Sequence, residues 1–462
     1  MSTQEPPPRW GKQTQLAIEN FPVSGERIPP AIIRALAMIK AECAAVNGQL
    51  GTVPAPVAEA IRAAADEVAG GQLADQFPVD IFQTGSGTST NMNMNEVLAN
   101  RATEILRSAQ QPASPDQDVH PNDHVNASQS SNDTFPSAAR VAAATRITDA
   151  LLPSLRDLQR SLIELATRHA GTVKMGRTHL MDAVPMTFGQ EVGGWARTIE
   201  LAVERLTGCL TRLGELPLGG TAVGTGLNAP AEFGALVAAR LTARTGVAFI
   251  EATDHFEAQA SQDALTEAAA VLKVVAVGLN KIAGDLRLLS SGPNGGLGEI
   301  VLPALQAGSS IMPGKVNPVI PEMVQQVAAQ VVGNDATATF AATMSTLQIN
   351  TAMPVIARSV LSSVDLLSNA ITLLDTRCVR GIEINAVRMR TNAARSPAIV
   401  TALAPRIGYD EAARLVRQAD EEGVSLAELL ERSGDWTPES LDQALLEMAR
   451  PAATDDTRGS GV

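Results

Sequence analysis

Apolar residues recur along much of the chain at the three- and four-residue intervals that place them on one face of a helix. The first such stretch contains Ile32, Ile33, Leu36 and Ile39 and opens at Pro29-Pro30, which suits a first helical turn. Pro54 and Pro56 open a second that runs through Ala64. From about Ser137 the character changes. Long Ala-, Leu- and Arg-rich stretches follow at 137–169, which contains Pro153, and at 187–212, 231–245, 256–289, 321–344 and 355–374. Several exceed the ~8–20 residues usual for a globular helix. Long helices joined by Gly-rich loops predict a helical bundle. Residues 379–450 hold shorter amphipathic pieces and read as a small helical domain. Residues 1–15 read as an irregular arm, and the tail from Thr454 to Val462 as a polar, frayed end.

Composition narrows this picture. Aromatic residues make up only 3% of the 462 positions, with a single tyrosine, so Ala, Leu and Val must fill most of the core. Such a core favours closely packed helices over a β-sandwich. The formal net charge of −13, with no basic stretch to offset it, argues against a nucleic-acid partner. An acidic substrate would need local cationic side chains and backbone N–H donors. Cys43, Cys209 and Cys378 lie far apart and in no metal-like spacing. They read as reduced, buried thiols of a cytoplasmic protein. Residues 1–9 contain no apolar signal core, and no apolar run is long enough for a membrane span.

Chemistry is to be sought in four polar loops. They are Thr84 to Asn91 (TGSGTSTN), His120 to Asp133 (HPNDHVNASQSSND), Gly176 to His179 (GRTH) and Gly308 to Pro318 (GSSIMPGKVNP). Each alone could be an ordinary turn or helix cap, since Ser, Thr, Asn and Gly are the usual residues there. Yet three of the five histidines, His120, His124 and His179, fall in these loops. The fourth loop is the most informative. Two glycines and two prolines frame a serine pair, a lysine and an asparagine, a set suited to a mobile segment closing on a negatively charged substrate. It contains no Gly-x-Ser-x-Gly elbow. Val316 after Gly314-Lys315 breaks the P-loop pattern. Gly85 and Gly87 are too short a set for a dinucleotide fingerprint. His120 and His124 have metal-ligand spacing, but Pro121 and Asn122 argue against a helix there and no Glu completes the motif, so no metal is expected.

Taken together, these motifs resemble the class II fumarases, within the fumarase/aspartase superfamily of lyases. The likeness runs in order along nearly the whole chain: residues 19–22, 85–100, 120–136, 176–191, 219–228 and 309–322. An aspartase usually has Gln, Asn and Ala where this chain has His179, His120 and Gly314. The resemblance implies a mainly α, three-domain fold whose central long-helix bundle forms a tetramer core. The corresponding divisions are residues 1–135, 136–375 and 376–462. It implies reversible conversion of (S)-malate to fumarate and water through a carbanion, without a cofactor or metal. It further implies a homotetramer with active sites shared among subunits, a small dicarboxylate as the only other partner, and no membrane or nucleic acid.

The same resemblance assigns residues. Ser309 matches the base that removes the C3 proton. His179 matches the proton donor and acceptor at the C2 hydroxyl, and Glu322 the carboxylate that orients it. Ser86, Gly87, Thr88, Ser130, Ser131, Asn132, Thr178, Ser310, Lys315, Val316 and Asn317 match substrate-binding positions. His120, Pro121, Asn122 and Asp123 match a second, non-catalytic dicarboxylate site. A free serine is a weak base, so Lys315, backbone N–H groups and loop closure are expected to activate Ser309. Some positions depart from the pattern: the arm before Gln13 is short, Leu16 replaces a common Arg, Thr346 and Thr351 are unusual, and Gln348 replaces a common Glu. Gln348 favours an aspartate ammonia-lyase, the alternative reading beside a lyase for a related dicarboxylate.

Overall fold

A computed structural model describes residues 8–109, 118–308, 310–312, 314–396, 400, 407–434 and 436–449. The tail expected to fray, from Thr454, lies outside the described residues, as does Ser309. The molecule is mainly helical. Its helices are α1 (Lys12–Asn20), α2 (Pro30–Leu50), α3 (Ala55–Ala69), α4 (Thr88–Ala109), α5 (Ser131–Arg146), α6 (Leu152–Arg168), α7 (Phe188–Leu213), α8 (Phe233–Thr245), α9 (His255–Ala260), α10 (Asp263–Leu289), α11 (Val319–Ala342), α12 (Met353–Arg377) and α13 (Ala386–Arg395). Among the described residues α14 (Tyr409–Glu422), α15 (Leu426–Arg432) and α16 (Pro438–Met448) follow. Four helices, α7 and α10 to α12, have 24 to 27 residues, as the apolar periodicity predicts.

The chain divides into two compact units. The first is drawn from Met1–Ser154, Ala202–Val277 and Val327–Asn369. Within it α2 is the buried centre, packed against α3, α5 and α8, with Ile32, Leu36, Ile39 and Val46 fully enclosed. Pro30 starts α2 and Gly51, at φ +74°, ends it in the left-handed conformation that glycine adopts without strain. The second unit is drawn from Leu155–Leu201, Gly278–Gln326 and Ala370–Val462. It contains a hairpin of β1 (Val173–Thr178) and β2 (Met181–Thr187). At its C-terminal end α14, α15 and α16 enclose a small core of Leu415, Leu426, Leu430 and Leu445.

Several local expectations are corrected. The supposed irregular arm contains α1, because the Glu96 carboxylate on α4 accepts hydrogen bonds from Gly11, Gln13 and Thr14 N–H at 2.8–3.0 Å. That cap comes from more than eighty residues away and leaves no local sign. The stretch expected from Ser137 begins earlier, where Ser130 and Asp133 form a capping box. It widens into a π-helical turn at Ile147–Leu151, where Pro153 has no N–H to return to the preceding turn. The expected 256–289 helix is two helices, α9 and α10, separated by an extended Ser261. Pro121–Val125, expected to resist helix, forms one π-helical turn with proline at its first position.

Candidate active site

In the first unit the sequence brings two helix starts together. Thr84 to Gly87 turns sharply into α4, with Ser86 at φ +60° and Gly87 at φ +72°. A Cβ on Gly87 would lie 2.2 Å from the Phe135 ring of α5, so only glycine lets the two helix starts approach this closely. The approach gathers hydroxyls. Ser86 Oγ lies 3.1 Å from Thr88 Oγ1, which lies 3.0 Å from Ser131 Oγ. Ser86 and Ser131 both donate to Asn132 Oδ1, at 3.2 and 3.4 Å, and Asn132 Nδ2 donates to Ala222 O at 2.8 Å. Helix starts present N–H donors and the positive end of the dipole, so a hydroxyl-lined pair of them is chemically suited to a carboxylate. Gly87 and Ser130, on the same segments, complete the set of six predicted positions that the structure brings together.

Below this cluster lie two buried charges. Asp133 accepts hydrogen bonds from Ser130 N–H, Thr134 Oγ1, Gly219 N–H and Thr221 N–H. Burial pushes its carboxyl up to about 6, against the downward pull of those donors. Lys40, fully enclosed in α2, donates to Asn126 Oδ1 at 2.8 Å, and burial lowers it to about 8. The sequence reading passed over both as site supports. Asp133 at the third position after Ser130 was the available signal, while the Gly219–Ala222 strap lies nearly ninety residues away.

The predicted second site forms a turn of its own. His120 N–H donates to His124 Nδ1 at 2.9 Å, and Asp123 N–H donates to His120 Nδ1 at 3.0 Å. The Asp123 carboxylate also lies 3.0 Å from that Nδ1. One nitrogen cannot accept and donate at once, so Nδ1 either caps the turn as a bare acceptor or, carrying a hydrogen, donates to Asp123. Asn122 is exposed and Pro121 half-buried on the same turn.

In the second unit His179 occupies a place the sequence did not reveal. The segment read as a loop is the tip of the β1–β2 hairpin, where Thr178 pairs with Met181. His179 and Leu180 form the two-residue turn, at φ +54° and +62°. Both central residues of such a turn need positive φ, a place usually taken by Asn or Gly. Neither His nor Leu adopts it without strain, on the order of 1–3 kcal/mol each. His179 is exposed and has no hydrogen-bond partner among the described residues. Strand β2 bulges opposite Gly176, whose Cβ would meet Val184 O at 2.8 Å.

The fourth loop closes on itself. Gly308 N–H donates to Lys315 O and Asn317 Nδ2 donates to Gly308 O, both at 2.9 Å. A Cβ on Gly308 would lie 2.4 Å from Lys315 O, so the closure requires glycine. Ser310, Lys315 and Val316 are exposed on this loop. Glu322 is half-buried in the first turn of α11, and no hydrogen bond joins it to His179 within the described residues.

Comparison with known proteins follows the same lines. The lyase family model matches residues 2–333, and the fumarase C C-terminus model matches residues 399–447. A class II fumarate hydratase of Mycobacterium tuberculosis is 50% identical over 97% of this chain and 94% of its own length. That of Corynebacterium glutamicum is 50% identical over 94% and 91%. The crystal structure of a class II fumarase from Schistosoma mansoni superposes with a TM-score of 0.89 at 38% identity, covering 96% of both chains.

Proposed function

The chain belongs to the class II fumarate hydratases, and from that premise we propose how its separate loops divide the work of the reaction. It is a lyase that interconverts malate and fumarate, acting on a small dicarboxylate. The observation that carries the site-level reading is the pair of hydroxyl-lined helix starts at Thr88 and Ser131. Ser86, Thr88, Ser131 and Asn132 hold one substrate carboxylate, with Gly87 and Ser130 setting their positions. Thr178, Ser310, Lys315, Val316 and Asn317 complete the grip on the dicarboxylate.

In the dehydration direction Ser309, activated by Lys315, backbone N–H groups and loop closure, takes the C3 proton. The electron pair left on C3 spreads onto the adjacent carboxylate, where preorganised donors lower the barrier most. The C2–O bond then breaks as the carbanion electrons form the C2–C3 double bond. Protonated His179, acting through a water, delivers a proton to the departing hydroxide, which leaves as water. Glu322 orients His179. Hydration runs the same steps backwards. His120, Pro121, Asn122 and Asp123 form a second dicarboxylate site outside the reaction.

Copies of the chain assemble as a homotetramer with shared active sites, residues 136–375 supplying the central bundle between flanking domains 1–135 and 376–462. Exposed Val274 and Val277 on α10 and Phe340 on α11 support such a packing of long helices. Among the described residues no helix is long and apolar enough to cross a membrane, and the reading places the protein in the cytoplasm. Absorbance of purified protein with fumarate alone, then with fumarate plus ammonium, tests the reaction. Loss of fumarate in both, with malate as product, is expected. Loss only with ammonium would make it an aspartate ammonia-lyase and sink the hydratase reading.

A further inference from the structure

The strained turn at His179 raises the question of what holds it, because a turn of this kind persists only where its surroundings over-determine it. One residue of the second unit meets the hairpin from below. Glu299 is fully buried. Its Oε1 accepts from Arg177 Nη2 at 2.7 Å and from Asn392 Nδ2 at 3.1 Å, and its Oε2 lies 3.1 Å from Lys174 Nζ. Lys174, equally buried, also donates to Glu191 Oε2 at 2.6 Å. Two carboxylates and two cations therefore balance under strand β1, and Arg177 stands two residues from His179. Burial alone would raise the Glu299 carboxyl, but the Arg177 hydrogen bond and the Lys174 charge more than offset it and hold it below its usual range.

The backbone of Glu299 is fixed as firmly. Its N–H donates to Leu289 O at the end of α10, and its carbonyl accepts from Asn385 N–H at the start of α13. Just beyond it, Ile300 pairs with Ile384 and Val301 with Glu383. The chain then runs on to the Gly308–Pro318 loop. A side chain anchored on both sides of its own backbone is thus the shared root of the hairpin and of the segment leading to that loop.

We propose that Glu299 is a positioning residue for the reaction, holding the His179 turn in its productive geometry through Arg177 and Lys174. The inference rests on His179 being the acid/base group. Its role differs from general stability because the carboxylate bonds Arg177, two residues along the hairpin from the reacting imidazole. A small displacement there costs turnover more than affinity, since all of the proposed grip except Thr178 lies outside the hairpin.

The test is a double-mutant cycle on the full-length protein, with fold and oligomeric state checked by circular dichroism and gel filtration. Glu299→Gln is expected to lower kcat by roughly 10–100-fold with KM changed by less than about threefold. In a His179→Asn background it is expected to cause almost no further loss, because both act through one imidazole. Arg177→Gln, less buried, should reproduce the pattern and decides the matter where Glu299→Gln does not fold. Turnover of the folded variants within about twofold of wild type would overturn the proposal, as would full additivity with His179→Asn. Wild-type turnover in His179→Asn alone would instead remove the acid/base assignment on which the proposal stands.

Discussion

At the starts of α4 and α5 the polar side chains of the site already bond one another, whereas His179 at the hairpin tip has no hydrogen-bond partner among the described residues. Ser86, Thr88 and Ser131 can rotate their hydroxyls from one another and from Asn132 Oδ1 onto an arriving carboxylate. Their backbone is fixed beneath by Gly87 against Phe135 and by the four hydrogen bonds to Asp133. The hairpin is the reverse. Its imidazole is free to give and take a proton, and its order comes from a strained turn and the buried charges under β1. The contrast separates two tasks. On the proposed roles, carboxylate binding falls to groups satisfied in advance and proton transfer to a group left unsatisfied in a fixed place.

The comparison can be broken at several points. The largest effect is expected at His179, where His179→Asn should lower kcat by roughly 10²–10⁴ while KM moves little. Steady-state kinetics on the folded variant reads this directly. Asp133→Asn should cost on the order of 1–3 kcal/mol, since the amide cannot accept all the donors that Asp133 satisfies. The sign of its pH dependence follows from burial. The folded carboxyl titrates at about 6, above its ordinary value of 3.8, so the wild type gains stability from this group as pH falls from 6 towards 4. The gap in thermal midpoint between wild type and Asp133→Asn should therefore widen on going from pH 7 to pH 5. A gap that narrowed would mean Asp133 is not the buried, upward-shifted group described. Ser131→Ala should raise KM by about 5–10-fold with kcat held near wild type, the loss of one hydrogen bond to substrate. His120→Asn is expected to change turnover by less than about twofold, because its ring is committed to a capped turn outside the reaction. A large loss there would move His120 into the reaction.

The sequence reading succeeded where cause and effect are local. Pro30 marks the start of α2, and the apolar spacing marks α7 and α10 to α12. Six of the positions proposed for binding lie together because they fall on two short polar segments at the starts of α4 and α5. The rest depends on partners distant in sequence. Helix α1 exists through Glu96, and Glu299 meets Arg177 across 122 positions. The hairpin was hidden for a different reason. A turn of this type is normally announced by Asn-Gly, and here His-Leu occupies it. The absence of the favoured turn residues is what the proposed acid/base role of His179 would require, chemistry being placed there over conformational ease.

The division of labour between the two regions is tested most directly by measuring kcat and KM for His179→Asn and Ser131→Ala side by side. The account predicts a loss confined largely to kcat in the first and to KM in the second. Near-wild-type kcat in His179→Asn, or a collapse of kcat in Ser131→Ala, would contradict it.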